Sequence, residues 1–253
     1  MQETLFIGKN VIHISSIPST NDYAKQLLAE KKQIDGTVVL CDEQTQGRGQ
    51  MGAVWETEGK KNLTASFILY PNFLSADKQF YLNMAVSLAV REFCESLTED
   101  FVQIKWPNDV LVNGKKTAGI LIENAIQGSN IQHAIIGIGV NINQDSFPEH
   151  LPRATSIILN NPLHTVPFKI DMLINSLSFF MEKYYLQLRQ EHCHFLSKAY
   201  ITSLWRYNQT HEFLKGNQTI RGEITGISKE GKLEIDVNGK IQRFGFKELE
   251  YIL

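Results

Sequence analysis

Residues 105–123, KWPNDVLVNGKKTAGILIE, gather the side chains best suited to chemistry in this sequence. Two short apolar runs, 110–112 and 120–122, flank Asn113-Gly114. That dipeptide tolerates the positive φ of a type I′ turn, so the pattern predicts a tight hairpin. Pro107 cannot donate to a strand ladder and holds Trp106 extended, which predicts a break before the hairpin. Lys105, Asn108, Asp109, Lys115 and Lys116 then cluster near one end of a stiff frame, and cations with amide side chains suit the handling of an anion. Taken singly, each has a plainer reading: lysines beside a turn protect a sheet edge, Trp106 is core, and Asn108-Asp109 is turn chemistry. Their density in one segment favours a ligand.

Two other stretches carry polar chemistry. Gly47, Gly49 and Gly52 formally match G-x-G-x-x-G. That fingerprint must open a helix and needs an acidic residue about 20 positions later. Here residues 53–61 show no apolar helical stripe, 63–69 read as a strand, and Asn72 stands near the acidic position, so a dinucleotide site fails on context. The G-K-[ST] ending of a P-loop is also missing. What remains is a glycine-rich loop whose N–H groups can approach an anion closely, with Arg48 able to grip a phosphate in bidentate fashion. Ser19-Thr20-Asn21 precedes the apolar face Tyr23, Ala24, Leu27 and Leu28. These residues either cap that helix only or, with its first amides, face a ligand.

The elements that position these residues follow from hydrophobic periodicity. Strands are expected at 10–15, 37–41, 63–69, 101–105 and 131–142, and helices at 79–97, 168–189 and 194–205. Gly137 and Gly139 interrupt an otherwise apolar strand, which implies close approach of another group, a central place in the sheet under a ligand, and Asn141 at the strand's end. Residues 148–167 are irregular, with breaks at Pro152, Pro162 and Pro167. Beyond Tyr207 the pattern changes to short strands at 213–214, 219–227, 233–237 and 241–246, separated by glycine turns. Such spacing predicts a small β-barrel or sandwich. Two domains are therefore expected, 1–206 and 207–253.

Bulk properties bound the function. A chain of 253 residues, 43% hydrophobic and 21% charged, has ordinary globular composition. Its net charge of −2 gives no overall attraction to nucleic acid or an anionic membrane. No apolar run reaches the ~18 residues that span a bilayer, and residues 1–10 lack a signal-peptide layout. Cys41, Cys94 and Cys193 form no C-x-x-C pair and fit a reducing cytoplasm. Cys193 lies between His192 and His194, but consecutive helical positions do not face one another, so no metal site is expected there.

Over nearly its whole length the chain resembles the biotin protein ligases. The family's Lys-Trp-Pro-Asn-Asp run, followed by a hairpin and Lys-x-Ala-Gly-Ile-Leu, appears as residues 105–109 and 116–121; its Ser-Thr-Asn start appears at Ser19, Thr20 and Asn21. Its Gln-x-x-Gly-Arg-Gly loop appears at Gln44 and 47–49, and its Gly-x-Gly-x-Asn strand end at Gly137, Gly139 and Asn141. With Ser-Thr-Asn set in that pattern, the ligand-facing reading replaces the cap alone. The resemblance implies an α+β fold: a mixed-sheet catalytic domain of the class II aminoacyl-tRNA-synthetase-like biotin–lipoate ligase type, with a C-terminal SH3-like barrel. Two departures stand out. Gln50 occupies a position where many relatives carry a second arginine, and Ser19 lies too near Met1 for an N-terminal helix-turn-helix domain, so an enzyme-only form without DNA binding is expected.

The implied activity is ATP-dependent biotinylation of a lysine on a biotin carboxyl carrier domain, through biotinyl-5′-AMP. Ser19, Thr20, Asn21 and Gln44 would meet the biotin ring system, with Gly49, Gln50 and Gly119 completing its pocket. Lys116 and Arg48 would be the catalytic cations, holding first the carboxylate and then the acyl phosphate. Gly47, Arg48, Lys105, Trp106, Asn108, Asp109 and Asn141 would bind ATP and the adenylate, and Asp109 is the candidate to place Mg²⁺. A carboxylase's acceptor domain is the expected partner, with no membrane or DNA partner, and a homodimer stays open. A lipoate–protein ligase of the same fold and a non-catalytic biotin-binding regulator are the rivals.

Overall fold

In the computed structural model, β1 (Val11–Ile17) and β2 (Thr37–Gln44) pair in parallel across the connecting helix α1 (Thr20–Glu30). Residues 3–161 and 166–252 are described; the break expected at Pro162 lies outside them. Ser19 is the N-cap of α1 and its side chain accepts from the Asp22 N–H at 3.4 Å. The sheet continues through β3 (Leu63–Leu69), β4 (Val102–Lys105), β5 (Asp109–Val112), β6 (Lys115–Gln127) and β7 (Asn130–Val140), in the order β1-β2-β3-β7-β6-β5-β4. Every pair except β1–β2 is antiparallel, and β7 is central.

The predicted hairpin is the β5–β6 connection. Asn113 and Gly114 both have positive φ (50° and 72°), as a type I′ turn requires. The strand break falls between Lys105 and Asp109, and a bulge between Val110 and Leu111 shifts the register on the way to the turn.

Side-chain alternation gives the sheet two unlike faces. One packs against α2 (Gln79–Glu95), α3 (Ile170–Arg189) and α4 (Cys193–Thr202); Phe67 and Leu69 of β3 and Ile136 and Ile138 of β7 enter this main core. The opposite face carries a smaller core, with Ala24 of α1 against Val39, Ile68 and Ile135. Helix α1 covers only part of that face. On the remainder, one row of paired residues crosses all seven strands: Ile14, Cys41, Thr64, Gly139, Gly119, Asp109 and Lys105. Paired residues project to one side, so the row is a floor that is low at its two glycines and ends in a carboxylate and a cation.

The N-terminal segment is fixed by Glu182, a buried carboxylate of α3 that accepts the N–H groups of Leu5, Phe6 and Ile7 at 2.6, 2.8 and 3.0 Å. The C-terminal strands β8 (Thr210–Lys215), β9 (Gln218–Ile227), β10 (Leu233–Val237), β11 (Lys240–Phe244) and β12 (Glu250–Tyr251) form a second, wholly antiparallel sheet in the order β11-β10-β9-β8-β12. The sequence pattern missed β12, which is two residues long and has no alternation to betray it. Trp106 joins the two sheets: its Nε1 donates to the Gly231 carbonyl at 3.0 Å and its ring packs on Phe246, centroids 5.2 Å apart.

Candidate active site

A cleft of about 830 Å³, counted to its open mouth, stands on the glycine floor. Strand β7 brings Gly137 and Gly139 beneath it, α1 brings Ser19, Thr20 and Asn21, β2 brings Gln44, the glycine-rich loop brings Arg48, Gly49 and Gln50, and the hairpin brings Asn108, Asp109, Lys116 and Gly119. Segments far apart in sequence thus meet at one place.

At one end the polar residues bond mainly to each other. The Thr20 N–H and hydroxyl lie 2.7 and 3.0 Å from Gln44 Oε1, and Ser66 Oγ lies 2.7 Å from Thr20 Oγ1 and 2.6 Å from Asn21 Oδ1. Each hydroxyl has one proton, so the arrangement that serves every acceptor runs Thr20 N–H to Gln44, Thr20 O–H to Ser66 and Ser66 O–H to Asn21. Gln44 Nε2 has no hydrogen-bond partner among the described residues. Asn21 Nδ2 donates to Glu123 at 2.8 Å. The Asn21 amide also fills the space above Gly137, where a Cβ would stand 2.5 Å from Asn21 Oδ1.

Trp55 lies across the middle of the floor. A Cβ on Gly139 would meet Trp55 Cε2 at 2.4 Å, and one on Gly119 would meet Cζ3 at 2.9 Å, so only glycines admit the indole here. The Trp55 Nε1 is buried with no hydrogen-bond partner among the described residues. At the other end, Lys116 Nζ sits 5.6 Å from the Trp55 ring centroid and pairs with Asp109 at 2.7 Å. The close approach expected at the interior glycines is therefore present, made by side chains of the chain itself.

Arg48 is held by two carboxylates, Asp22 at 2.7 Å and Glu123 at 3.1 Å, and Lys25 reaches Glu123 at 2.7 Å. Burial works to raise the Glu123 pKa, but hydrogen bonds from Lys25 and Asn21 and the Arg48 charge outweigh it and hold the carboxyl below its ordinary range. The loop of Arg48 folds back on itself through Gly49 N–H to Ala53 O (2.7 Å) and Trp55 N–H to Gly47 O (3.0 Å).

Four expected site residues stand outside this cleft. Gly47 backs the loop, and a Cβ there would strike the Trp55 carbonyl at 2.2 Å. Asn141 is buried at the end of β7, donating to Thr155 O at 3.1 Å, where it pins residues 155–157 beside the hairpin. Lys105 and Trp106 line a second cleft between the two sheets, which shares Gln50 and Asp109 with the first. Asn108 is fixed by Ile120, receiving its N–H at 3.1 Å and donating Nδ2 to its carbonyl. As for a metal, Asp109 is the one carboxylate lining the main cleft, and no group of three or more potential ligands occurs among the described residues. That donor set fits a cation carried in on phosphate oxygens and not a resident cage.

Sequence reasoning did not single out Trp55, Ser66 or Glu123. Each had a signal: a lone indole in a polar loop, a hydroxyl inside an apolar strand, and an acid closing an apolar run.

A model of the biotin/lipoate A/B protein ligase family matches residues 13–141. The bifunctional ligase/repressor BirA of Bacillus subtilis is 32% identical over 257 residues, covering 98% of this chain and 76% of that protein. The same-named protein of Bacillus spizizenii is 38% identical over 151 residues, 59% of this chain but only 46% of its own length. A Mycobacterium tuberculosis biotin–[acetyl-CoA-carboxylase] ligase is 28% identical over 90% of this chain and 83% of its own. Among solved structures, the Aquifex aeolicus biotin protein ligase in complex with biotin and ATP superposes with a TM-score of 0.78 at 26% identity, covering 96% of this chain and 98% of that one.

Proposed function

The chain belongs to the biotin/lipoate A/B protein ligase family, and from that premise we propose that it is a biotin protein ligase. The observation that carries this choice is the layout of the cleft: a self-bonded polar cluster at one end, a flat glycine-and-indole slot in the middle, and a lysine at the other end. Biotin has the complementary order of ureido ring, apolar body and carboxylate tail. Gln44 Nε2, Thr20, Asn21 and Ser66 meet the ureido group, the Trp55 indole packs against the body, and Lys116 receives the carboxylate. A lipoyl dithiolane offers no hydrogen-bonding partner to the polar end, which disfavours the family's other substrate class.

In the first step a biotin carboxylate oxygen attacks the α-phosphorus of ATP; the new P–O bond forms as the bond to the β-phosphate oxygen breaks, and pyrophosphate leaves with the electron pair. Lys116 screens the carboxylate from the phosphate during approach and holds the charge on the mixed anhydride afterwards. Arg48 exchanges its carboxylate partners for the phosphate. Asp109 is the side chain that would help hold a Mg²⁺ ion, which would neutralise charge on the nucleotide phosphates. In the second step a neutral lysine amine of a biotin carboxyl carrier domain attacks the acyl carbon; the C–N bond forms as the acyl C–O bond breaks, AMP leaves with the electron pair and the amine's proton passes to solvent. The unit from about residue 207 onward is a separate domain whose sheet packs on Trp106.

Isotope exchange between pyrophosphate and ATP tests the reading. Exchange is expected with biotin and not with lipoate or without an acid. Exchange with lipoate alone makes the chain the sister ligase, and no exchange with tight biotin binding makes it a binder.

A further inference from the structure

The Trp55 indole is tied to its glycine floor by polar groups buried behind it. Just past the indole, Thr57 Oγ1 accepts from Asn62 Nδ2 at 2.8 Å, and the Glu58 N–H donates to Gln144 Oε1 at 3.3 Å. Asn62 and Gln144 are 2% and 6% exposed, and Asn62 Nδ2 also donates to Gln144 Oε1 at 2.6 Å. Gln144 passes its own Nε2 proton to Ser146 O at 2.9 Å. At its other end, Asn62 Oδ1 accepts the buried Ile142 N–H at 2.9 Å.

These bonds close a short ring. From Trp55 the chain runs two residues to Thr57, crosses to Asn62 and crosses again to Ile142. It then returns three residues to Gly139 of β7, against which the indole lies. Indole and floor are thus held in register by the two ends of one amide. The Asn143 N–H, donating to Lys61 O at 2.8 Å, keeps the two sides of the ring together. The residue types fit this task closely. A leucine at position 62 would strand the Ile142 N–H, and an aspartate would offer Gln144 Oε1 no proton. The tip of the loop is bound differently: the Gly49 and Ala53 N–H groups bond back to Ala53 O and Gln50 O within it, and Met51 and Val54 are exposed. Trp55 therefore marks the joint between a self-contained tip and an anchored base.

We propose that Asn62, with Gln144 and Thr57, positions the adenylation site: the buried clasp sets the Trp55 indole against Gly139 and so shapes the slot in which biotin and then biotinyl-5′-AMP lie. The role in the reaction rests on the ligase activity proposed above. None of the three lines the main cleft, so they act through Trp55. Closure of the loop then moves its tip about an indole already in place.

The test uses the full chain labelled with fluorotryptophan and read by fluorine NMR, the Trp55 signal being the one missing from Trp55→Phe. The dissociation rate of added biotinyl-5′-AMP is measured alongside. Thr57→Val removes one bond of the ring and leaves Asn62 its bonds to Gln144 and Ile142, so the fold is kept. In that variant the Trp55 signal is expected to move or split while those of Trp106 and Trp205 hold. The adenylate should leave roughly three- to tenfold faster, the effect of one hydrogen bond. Thr57→Ser keeps the hydroxyl and should restore both readouts, whereas a packing role would favour valine over serine. Asn62→Leu and Gln144→Leu should act more strongly; if either fails to fold, the Thr57 pair decides alone. An unmoved Trp55 signal in folded Thr57→Val, or a moved one with the adenylate retained as in wild type, overturns the assignment. A signal moved by valine and restored by serine, in a chain without biotin-dependent pyrophosphate exchange, would instead sink the ligase reading and leave the clasp standing.

Discussion

Replacing Lys116 with alanine should separate stability from chemistry. The lysine side chain is 40% exposed, Asp109 is 20% exposed, and their 2.7 Å pair lies at the rim of the cleft. A pair so open to water is worth about 0–1 kcal/mol, which for a chain of this size lowers the melting temperature by no more than ~2–4 °C. The transition state is another matter. Lys116 there meets negative charge beside the Trp55 ring, and losing one such contact costs ~2–4 kcal/mol, roughly thirtyfold to a thousandfold in rate. Biotin-dependent pyrophosphate exchange at saturating ATP and biotin, paired with a thermal melt, reads both quantities. Near-normal exchange with a normal melt refutes the role assigned to Lys116. Lost exchange with a collapse of the fold refutes the premise that the lysine is structurally dispensable.

Limited proteolysis should cut within residues 45–61 of the free protein and slow markedly once biotin and ATP are present, because Met51 and Val54 are largely exposed and the loop is closed mainly by backbone bonds; identical cutting in both states contradicts a closing loop. Gly139→Ala should cost ~1–3 kcal/mol by driving the new methyl into Trp55, and Trp55→Ala in the same chain should restore the lost melting temperature; no such coupling means the indole does not rest on the floor in solution. Glu123 has a depressed pKa when folded, so it contributes stability that is present above its unfolded value of ~4.3 and lost as pH falls through the lower folded value. Glu123→Gln should flatten that acid loss in denaturant titrations, and superimposable profiles would exclude it.

The parts of the fold readable in sequence were those where one rule acts alone. Asn113-Gly114 between β-branched runs specified its turn, and β3 fell at the expected 63–69 because every residue in it is buried. Boundaries drifted where packing decides: β6 extends to Gln127 because β7 pairs with it that far, beyond the 120–122 apolar run. In the site, the glycines at 137 and 139 signalled an approach, but not that Asn21 and Trp55 would make it; a loop side chain folding back across a sheet leaves no periodic trace. The sequence around Trp106 gave no sign that its Nε1 would be engaged by the second sheet, a contact set by residues more than a hundred positions away.

The most direct test of the account is transfer itself. An unmodified biotin carboxyl carrier domain, incubated with this chain, ATP and either biotin or lipoate, should gain one biotinyl group on a single lysine by intact-mass and peptide analysis. It should gain nothing when ATP is omitted and no lipoyl group in the parallel reaction. Lipoylation without biotinylation, or no modification by a protein that binds biotin and ATP, would contradict the central claim.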